Sequence, residues 1–268
     1  MVRQVTAFSN STVKLLRSLR DKKARREHGL FLAEGLRILT EARDSGRLPE
    51  IVAFSPEVAK HPLAAEIISA TEAAGGDAIE TSADILSKMS GKDNPQMLLA
   101  AYRQPDTSIA RIDRAKAPLW IVAQSLRDPG NLGTILRTGD AAGAGGLILV
   151  DDSADPFSVE AVRASMGAVF TQEVATARWP EFLSWLRGGE GQLVGTSLKP
   201  TQDYLEAEYS QPCFLLIGNE QQGLPADYEA ECDLLVKIPM AGRADSLNAA
   251  MAAAVMAFQV TASWRMKQ

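Results

Sequence analysis

A chain of 268 residues, 46% hydrophobic and 23% charged, has the composition of a globular protein and the length for one large or two medium domains. Two cysteines and two histidines argue against a disulfide framework and a zinc site, and the lack of a long uncharged apolar run argues against a signal segment or a membrane span, so the cytoplasm is the expected location. A net charge of −5 argues against wholesale coating of a nucleic acid, yet residues 1–37 carry nine Lys/Arg against three Asp/Glu, a local excess that points to a polyanion partner at that end.

Val13, Leu15, Leu16 and Leu19 predict a helix over 11–19. A basic run follows, from Arg17 to Arg26, and within it Lys22, Lys23, Arg25 and Arg26 are candidate ligands for phosphate groups. Phe31 to Ala33 reads as a strand broken at Glu34-Gly35. Leu36 to Ala42 reads as a helix, 51–54 as a strand, 63–74 as a helix, 78–81 as a strand, and Ser82 as the cap of a short helix. A polar loop, Ser90 to Gln96, leads into a strand over 97–102. These alternating elements predict a small α/β domain over 1–105, followed by a linker over 106–117.

The second domain is expected over 118–268. Ile121 to Ala123 is a strand, Asp128-Pro129-Gly130-Asn131 a turn with Asn131 as candidate helix cap, and Leu132, Ile135 and Leu136 one face of the helix that follows. Leu147 to Val150 closes a βαβ unit, whose first turn is a usual place for a ligand. Asp151-Asp152 after that strand reads as a solvated turn rather than a metal site. Helices are expected at 158–166 and around 182–186, and strands at 193–196, 213–217 and 234–238. Each of these last three strands ends in a polar, glycine-containing turn able to bind a flat heterocycle through its backbone groups. Neither G-x-G-x-x-G nor G-x-x-x-x-G-K-[ST] is present, which argues against a dinucleotide and against P-loop chemistry. The alanine-rich stretch from Asn248 to Phe258 predicts a helix too broadly apolar for one-sided burial, a candidate subunit contact.

Three motifs together resemble one family. They are Asn131-Leu132-Gly133-Thr134-Ile135-Leu136-Arg137-Thr138, the run Leu216-Ile217-Gly218-Asn219-Glu220-Gln221-Gln222-Gly223-Leu224, and Ile238-Pro239-Met240-Ala241-Gly242 with Ser246-Leu247-Asn248. In this order they resemble the SpoU (TrmH-type) RNA ribose 2′-O-methyltransferases of the SPOUT superfamily. Ala161 to Ala168 resembles the family between its first two motifs. Lys23 to Gly35 resembles its small substrate-binding domain, so the likeness covers nearly the whole chain.

The resemblance implies an α/β chain with a C-terminal trefoil-knotted SPOUT methyltransferase domain and a smaller N-terminal L30e-like domain. It implies S-adenosylmethionine as cofactor, RNA as substrate (ribosomal RNA first, transfer RNA second), a homodimer through the C-terminal domain, and no metal. It places the cofactor against Thr196, Ile217, Gly218, Asn219, Gly223, Ile238, Met240, Ser246 and Leu247, with knot loops after Thr196, after Ile217 and from Ile238 to Leu247. It gives catalytic roles to Asn131, Arg137, Glu220, Ser246 and Asn248. Arginine stays protonated in proteins, so Arg137 is expected to orient a phosphate and the attacking oxygen rather than to act as a base. Gly139 and Ala249 depart from the alanine and valine common in relatives, and the Ser90–Gln96 loop is more polar than the family's threonine-proline-glutamine-glycine, which bears on RNA specificity. The alternative is a non-catalytic RNA-binding or ribosome-assembly protein, for which the polar motif residues would have no reason to be present together.

Overall fold

The computed structural model describes residues 2–91, 96–199, 202–219 and 221–266. The chain divides into two compact α/β units, Met1–Pro105 with Phe157–Thr171, and Asp106–Pro156 with Gln172–Gln268.

Unit 1 is built on a five-stranded sheet of β1 (Arg3–Val5), β2 (Leu30–Glu34), β3 (Ile51–Phe54), β4 (Asp77–Thr81) and β5 (Leu98–Arg103), in the order β1-β4-β3-β5-β2. β1, β4 and β3 are parallel, and β5 runs antiparallel to β3 and β2. Every residue of β2 and β3 is buried, so both faces of the sheet are covered. One core gathers Val13 and Leu16 from the first helix (Ser11–Ser18) and Leu19 just past its end with Ile85, Leu86 and Met89 from the helix Ala83–Ser90. The helices Val159–Ser165 and Ala168–Thr171 belong to this unit although they fall inside the range expected for the second domain. Aromatic packing explains it: Phe157 stands 5.1 Å from Phe31 and Phe170 stands 4.6 Å from Tyr102, ring centre to ring centre. The segment 92–95 of the polar loop lies outside the described residues.

Unit 2 carries a seven-stranded, all-parallel sheet: β6 (Leu119–Gln124), β7 (Gly146–Val150), β8 (Glu173–Ala177), β9 (Gln192–Thr196), β10 (Gln202–Asp203), β11 (Cys213–Ile217) and β12 (Leu234–Lys237), in the order β10-β12-β9-β11-β6-β7-β8. The chain lays β6, β7 and β8 outward in one direction, then returns to build the other half, so β6 and β11 meet at the switch point where doubly wound sheets open a crevice. β6, β7 and β11 are buried throughout, as a sheet covered on both faces requires. A core of Trp120, Ile148, Phe182, Phe214 and Leu216 lies on one face. On the other, the helices Pro129–Ala142 and Ala249–Arg265 pack together. Gly139 has a local reason: a Cβ there would come within 3.2 Å of Ile121 Cδ1 and 3.4 Å of Gln172 Oε1. Asp151 is spent inside the fold, its carboxylate accepting from Trp179 N at 3.0 Å and from the Tyr228 hydroxyl at 2.7 Å.

One member of the expected phosphate-binding set is corrected. Arg25 is 3% exposed, and its Nη1 donates to the carbonyls of Leu19 at 2.9 Å and Arg20 at 2.7 Å. Counting charges along the run treats all its cations alike. Here the helix Lys22–His28 turns Arg25 back onto the carbonyls that the first helix leaves open at its end, while Lys22, Lys23 and Arg26 stay exposed. Arg25→Met is expected to lower the unfolding free energy by about 1.5–3 kcal/mol in urea denaturation, the range for hydrogen bonds from a charged donor. Unchanged stability would return Arg25 to the surface patch.

Candidate active site

Parallel pairing brings the carboxyl ends of β12, β9, β11 and β6 out side by side: Val236 is opposite Thr196, Leu216 opposite Gly195, and Ile217 opposite Ala123. The turns leaving three of these strands wall a cavity of about 220 Å³. All nine residues expected to hold a cofactor line it: Thr196, Ile217, Gly218, Asn219, Gly223, Ile238, Met240, Ser246 and Leu247. Its wall is mixed. Ile217, Leu224, Ile238, Met240 and Leu247 give apolar surface, the alanines Ala249 and Ala252 leave room, and Ser197, Lys199, Glu229 and Ser246 give polar groups.

The Asn219–Gly223 turn is held at three points. Asn219 and Gly223 exchange backbone hydrogen bonds of 3.2 and 2.9 Å. Asn219 Oδ1 accepts from Gln221 N and Gln222 N, and its Nδ2 donates to Ser125 O at 2.8 Å, tying the turn to the end of β6. Gly218 has to be glycine for the turn to close: a Cβ there would stand 2.4 Å from Gly223 C and 2.5 Å from Leu224 N. On the cavity wall, the Glu229 carboxylate accepts from Ser197 Oγ at 2.7 Å and from Lys199 Nζ. Burial pushes this carboxyl up, but the bonds from Lys199 and Ser197 and the nearby ammonium outweigh it and hold the group below its ordinary value.

Beside the cavity and sharing the wall 219, 221–224 lies a polar cleft of about 940 Å³, lined also by Gln124, Ser125, Arg127, Asp128, Asn131 and Asn248. Two helix starts meet here. Asp128, not Asn131, caps the helix Pro129–Ala142, its Oδ1 accepting from Asn131 N at 2.6 Å. Proline at the first helical position places the cap one residue before it, which moves Asn131 into the first turn. Asn248 caps the last helix by accepting from Ala250 N and Met251 N, and its Nδ2 donates to Asn131 Oδ1 at 3.0 Å. Gln124, 7% exposed, donates to Ser125 Oγ at 2.8 Å while its Oε1 is buried with no hydrogen-bond partner among the described residues.

The expected catalytic set is therefore divided. Asn131 and Asn248 meet in the cleft, and Ser246 lines the cavity. Arg137 is exposed and lines neither. Six residues beyond Asn131 it has turned about 240° around the helix and risen about 9 Å along it. Glu220 lies outside the described residues. Gln124, Arg127 and Glu229 were missed in the sequence because each stands outside the motifs. A polar residue ending an apolar strand is the one available signal, at Gln124.

Residues 118–258 match the SpoU rRNA Methylase family, and residues 10–100 match the MRM3-like substrate binding domain. The chain is 29% identical over 259 residues to the 23S rRNA (guanosine(2553)-2′-O)-methyltransferase RlmP of Bacillus subtilis (strain 168), covering 97% of this chain and 99% of that one. It is 40% identical to an rRNA methyltransferase from Sinorhizobium meliloti solved with AdoMet bound, with a TM-score of 0.90 and 98% of each chain covered. The SpoU methyltransferase AviRb from Streptomyces viridochromogenes, solved with the cofactor AdoMet, is 29% identical with a TM-score of 0.84, covering 96% of this chain and 98% of that one. With more than half of its length matched by the family and its two α/β units shared with solved relatives, the chain belongs to the SpoU rRNA methylase family.

Proposed function

We propose that this protein transfers the methyl group of S-adenosylmethionine to a ribose 2′-hydroxyl of ribosomal RNA, as a cytoplasmic homodimer. The observation that carries the reading is the pairing of a smaller, mixed apolar and polar cavity at three strand ends with a larger polar cleft across a shared wall. A flat heterocycle with a charged tail suits the first, and a nucleotide suits the second. The AdoMet-bound relatives support the cofactor.

S-adenosylmethionine, when bound, supplies a methyl carbon made electrophilic by its sulfonium. The chain's own part is to bind and align. Ile217, Leu224, Ile238, Met240 and Leu247 exclude water around the ring system, and the rigid 219–223 turn fixes the wall that cofactor and ribose share. Asn131 and Asn248 hold each other in place, so that the cleft keeps its shape when the nucleotide enters. Gln124 offers an unused acceptor and Arg127 a cation in the same cleft. Both histidines, His28 and His61, lie in unit 1, and no strong base is needed. A ribose oxygen becomes strongly acidic as it is methylated and gives its proton to water. The knot and the L30e-like character of unit 1 belong to the same proposal, supported by the convergence on one cavity of the turns after Thr196 and Ile217 and the segment from Ile238 to Leu247. So do domain limits along the chain at 1–105, 106–117 and 118–268, apart from the segment 157–171, which packs within unit 1. Among the described residues no helix is long and apolar enough to cross a membrane.

The homodimer reading rests on the last helix. Leu247, Met251, Val255 and Phe258 are each 36–53% exposed and repeat at helical spacing, an apolar stripe that starts at the cavity wall. A second copy is the occupant that also employs Arg137, whose exposed guanidinium is then free to serve the partner's cleft. Sedimentation at micromolar concentration is expected to give a dimer, and Met251→Glu with Phe258→Glu a monomer. A wild-type monomer with full activity would remove the dimer.

Arg137→Ala is expected to slow single-turnover methyl transfer on the order of 10²-fold or more while S-adenosylmethionine affinity stays unchanged, since a charge-assisted contact made in the transition state is lost. Near-normal turnover would take Arg137 out of the chemistry. The substrate for this assay is ribosomal RNA from a strain lacking the gene, with the methylated position found by comparing ribose-methyl maps with and without it. An unchanged map would overturn the function.

Lys22, Lys23 and Arg26 are the exposed members of the candidate phosphate-binding set and are proposed to hold RNA phosphates. Their joint replacement by Gln is expected to weaken RNA binding and flatten its salt dependence, leaving cofactor binding as it was. A salt series identical to wild type would exclude them.

A further inference from the structure

A second groove, of about 500 Å³, lies wholly within unit 1 and is lined by Phe8, Arg17, Arg20, Asp84, Lys88 and Gly91. Its construction differs from that of an ordinary charged surface in three ways. First, its cations are uncommitted. The side chains of Arg17, Arg20 and Lys88 make no hydrogen bond or ion pair among the described residues; Asp84 is the one acid lining this groove, and Asp21 and Glu160 line the adjoining hollow that Arg17 and Arg20 also face. Second, it exposes a large aromatic ring: Phe8 is 54% exposed, the most exposed phenylalanine among the described residues. Third, Arg20 lies flat on backbone. A Cβ added at Gly91 would stand 2.1 Å from the Arg20 guanidinium carbon and 2.2 and 2.4 Å from its two terminal nitrogens. The positive φ of Gly91, +73°, closes the helix Ala83–Ser90 at this spot, so the glycine both ends the helix and makes room for the guanidinium.

An exposed aromatic ring set among solvated cations is the combination by which single-strand sites hold nucleic acid, and the chemistry narrows what fits. The positive excess calls for an anion. The ring calls for a flat apolar face beside it. The base of an unpaired nucleotide supplies the face and its phosphates supply the charge, whereas the bases of a duplex are stacked on each other and have no free face to offer. An acidic peptide would meet the cations but leave Phe8 bare.

We infer that this groove is a docking site for a single-stranded RNA segment, in which Phe8 stacks on an unpaired base while Arg17, Arg20 and Lys88 hold the flanking phosphates. The inference deepens the RNA reading above by naming the form of RNA that unit 1 takes, and it adds a site separate from Lys22, Lys23 and Arg26. Phosphate contacts give the groove strength without sequence preference, and the stacked base makes it select unpaired RNA.

The test uses the full chain and two probes, a uridine octamer and an RNA duplex of eight base pairs, with binding followed by fluorescence anisotropy over a salt series. Wild type is expected to prefer the octamer. Phe8→Ala is expected to weaken octamer binding about tenfold and leave the duplex unaffected, while Phe8→Trp keeps the preference, in line with the strength of base–aromatic stacking. Arg17→Gln with Arg20→Gln is expected to reduce the log–log salt slope by about 1.4, from roughly 0.7 for each phosphate contact to a single strand. Affinity for S-adenosylmethionine, measured in parallel, should not move in any variant and serves as the check on folding. Octamer binding unaltered by Phe8→Ala, equal binding of octamer and duplex by wild type, or displacement of the octamer by an oligoglutamate peptide as readily as by unlabelled octamer would each overturn the site. Methyl transfer to ribosomal RNA by wild type is scored separately. Phe8-dependent octamer binding without any methyl transfer would leave the groove standing and bring down the enzymatic reading, and methyl transfer with no role for Phe8 would do the reverse.

Discussion

Strands that run parallel must all leave the sheet on the same edge, and in unit 2 that constraint does most of the assembly. β9, β11, β12 and β6 are sequentially distant, with some forty residues separating the ends of β9 and β12, yet their pairing sets Thr196, Ile217 and Gln124 in one row. Nothing further is needed to bring the three turns together. The turns then shape one another: Gly218 gives the room for the 219–223 hairpin to fold back, and Asn219 fastens that hairpin to Ser125 on the neighbouring strand.

A second organising contact lies where two helices begin. A helix start leaves backbone N–H groups unpaired, and two such starts beside one cleft would ordinarily leave it ill-defined. Here Asp128 and Asn248 each satisfy the helix that follows, and Asn248 keeps an amide hydrogen to donate to Asn131. One side chain therefore fixes the last helix, the cleft and the distance between two segments 117 residues apart.

The sequence was most legible where function depends on a short run of backbone. The residues expected to hold the cofactor could be listed because the motifs that resemble the family are short contiguous runs, and all nine line one cavity. It was least legible where a side chain's fate depends on a distant partner. Arg25 looks like its neighbours until the open carbonyls of Leu19 and Arg20 are in place beside it. Asn131 looks like a cap until Pro129 shifts the helix start by fixing the first residue. The 157–171 segment follows the methyltransferase strands in sequence, but Phe157 and Phe170 find their partners on Phe31 and Tyr102, more than fifty residues away. Gln124 carries no motif and shows its unmet acceptor only once its strand is flanked on both sides.

Leu247 has a position on two surfaces at once: it lines the cavity and it heads the exposed apolar stripe of the last helix. Whatever fills the cavity and whatever covers the stripe must therefore agree on where that residue stands. Any change that one makes in the other's affinity is then matched by the same change in return, because linkage between two binding events is reciprocal. With the proposed second copy on the stripe, affinity for a small molecule in the cavity would become a function of protein concentration, and dilution would act as an antagonist.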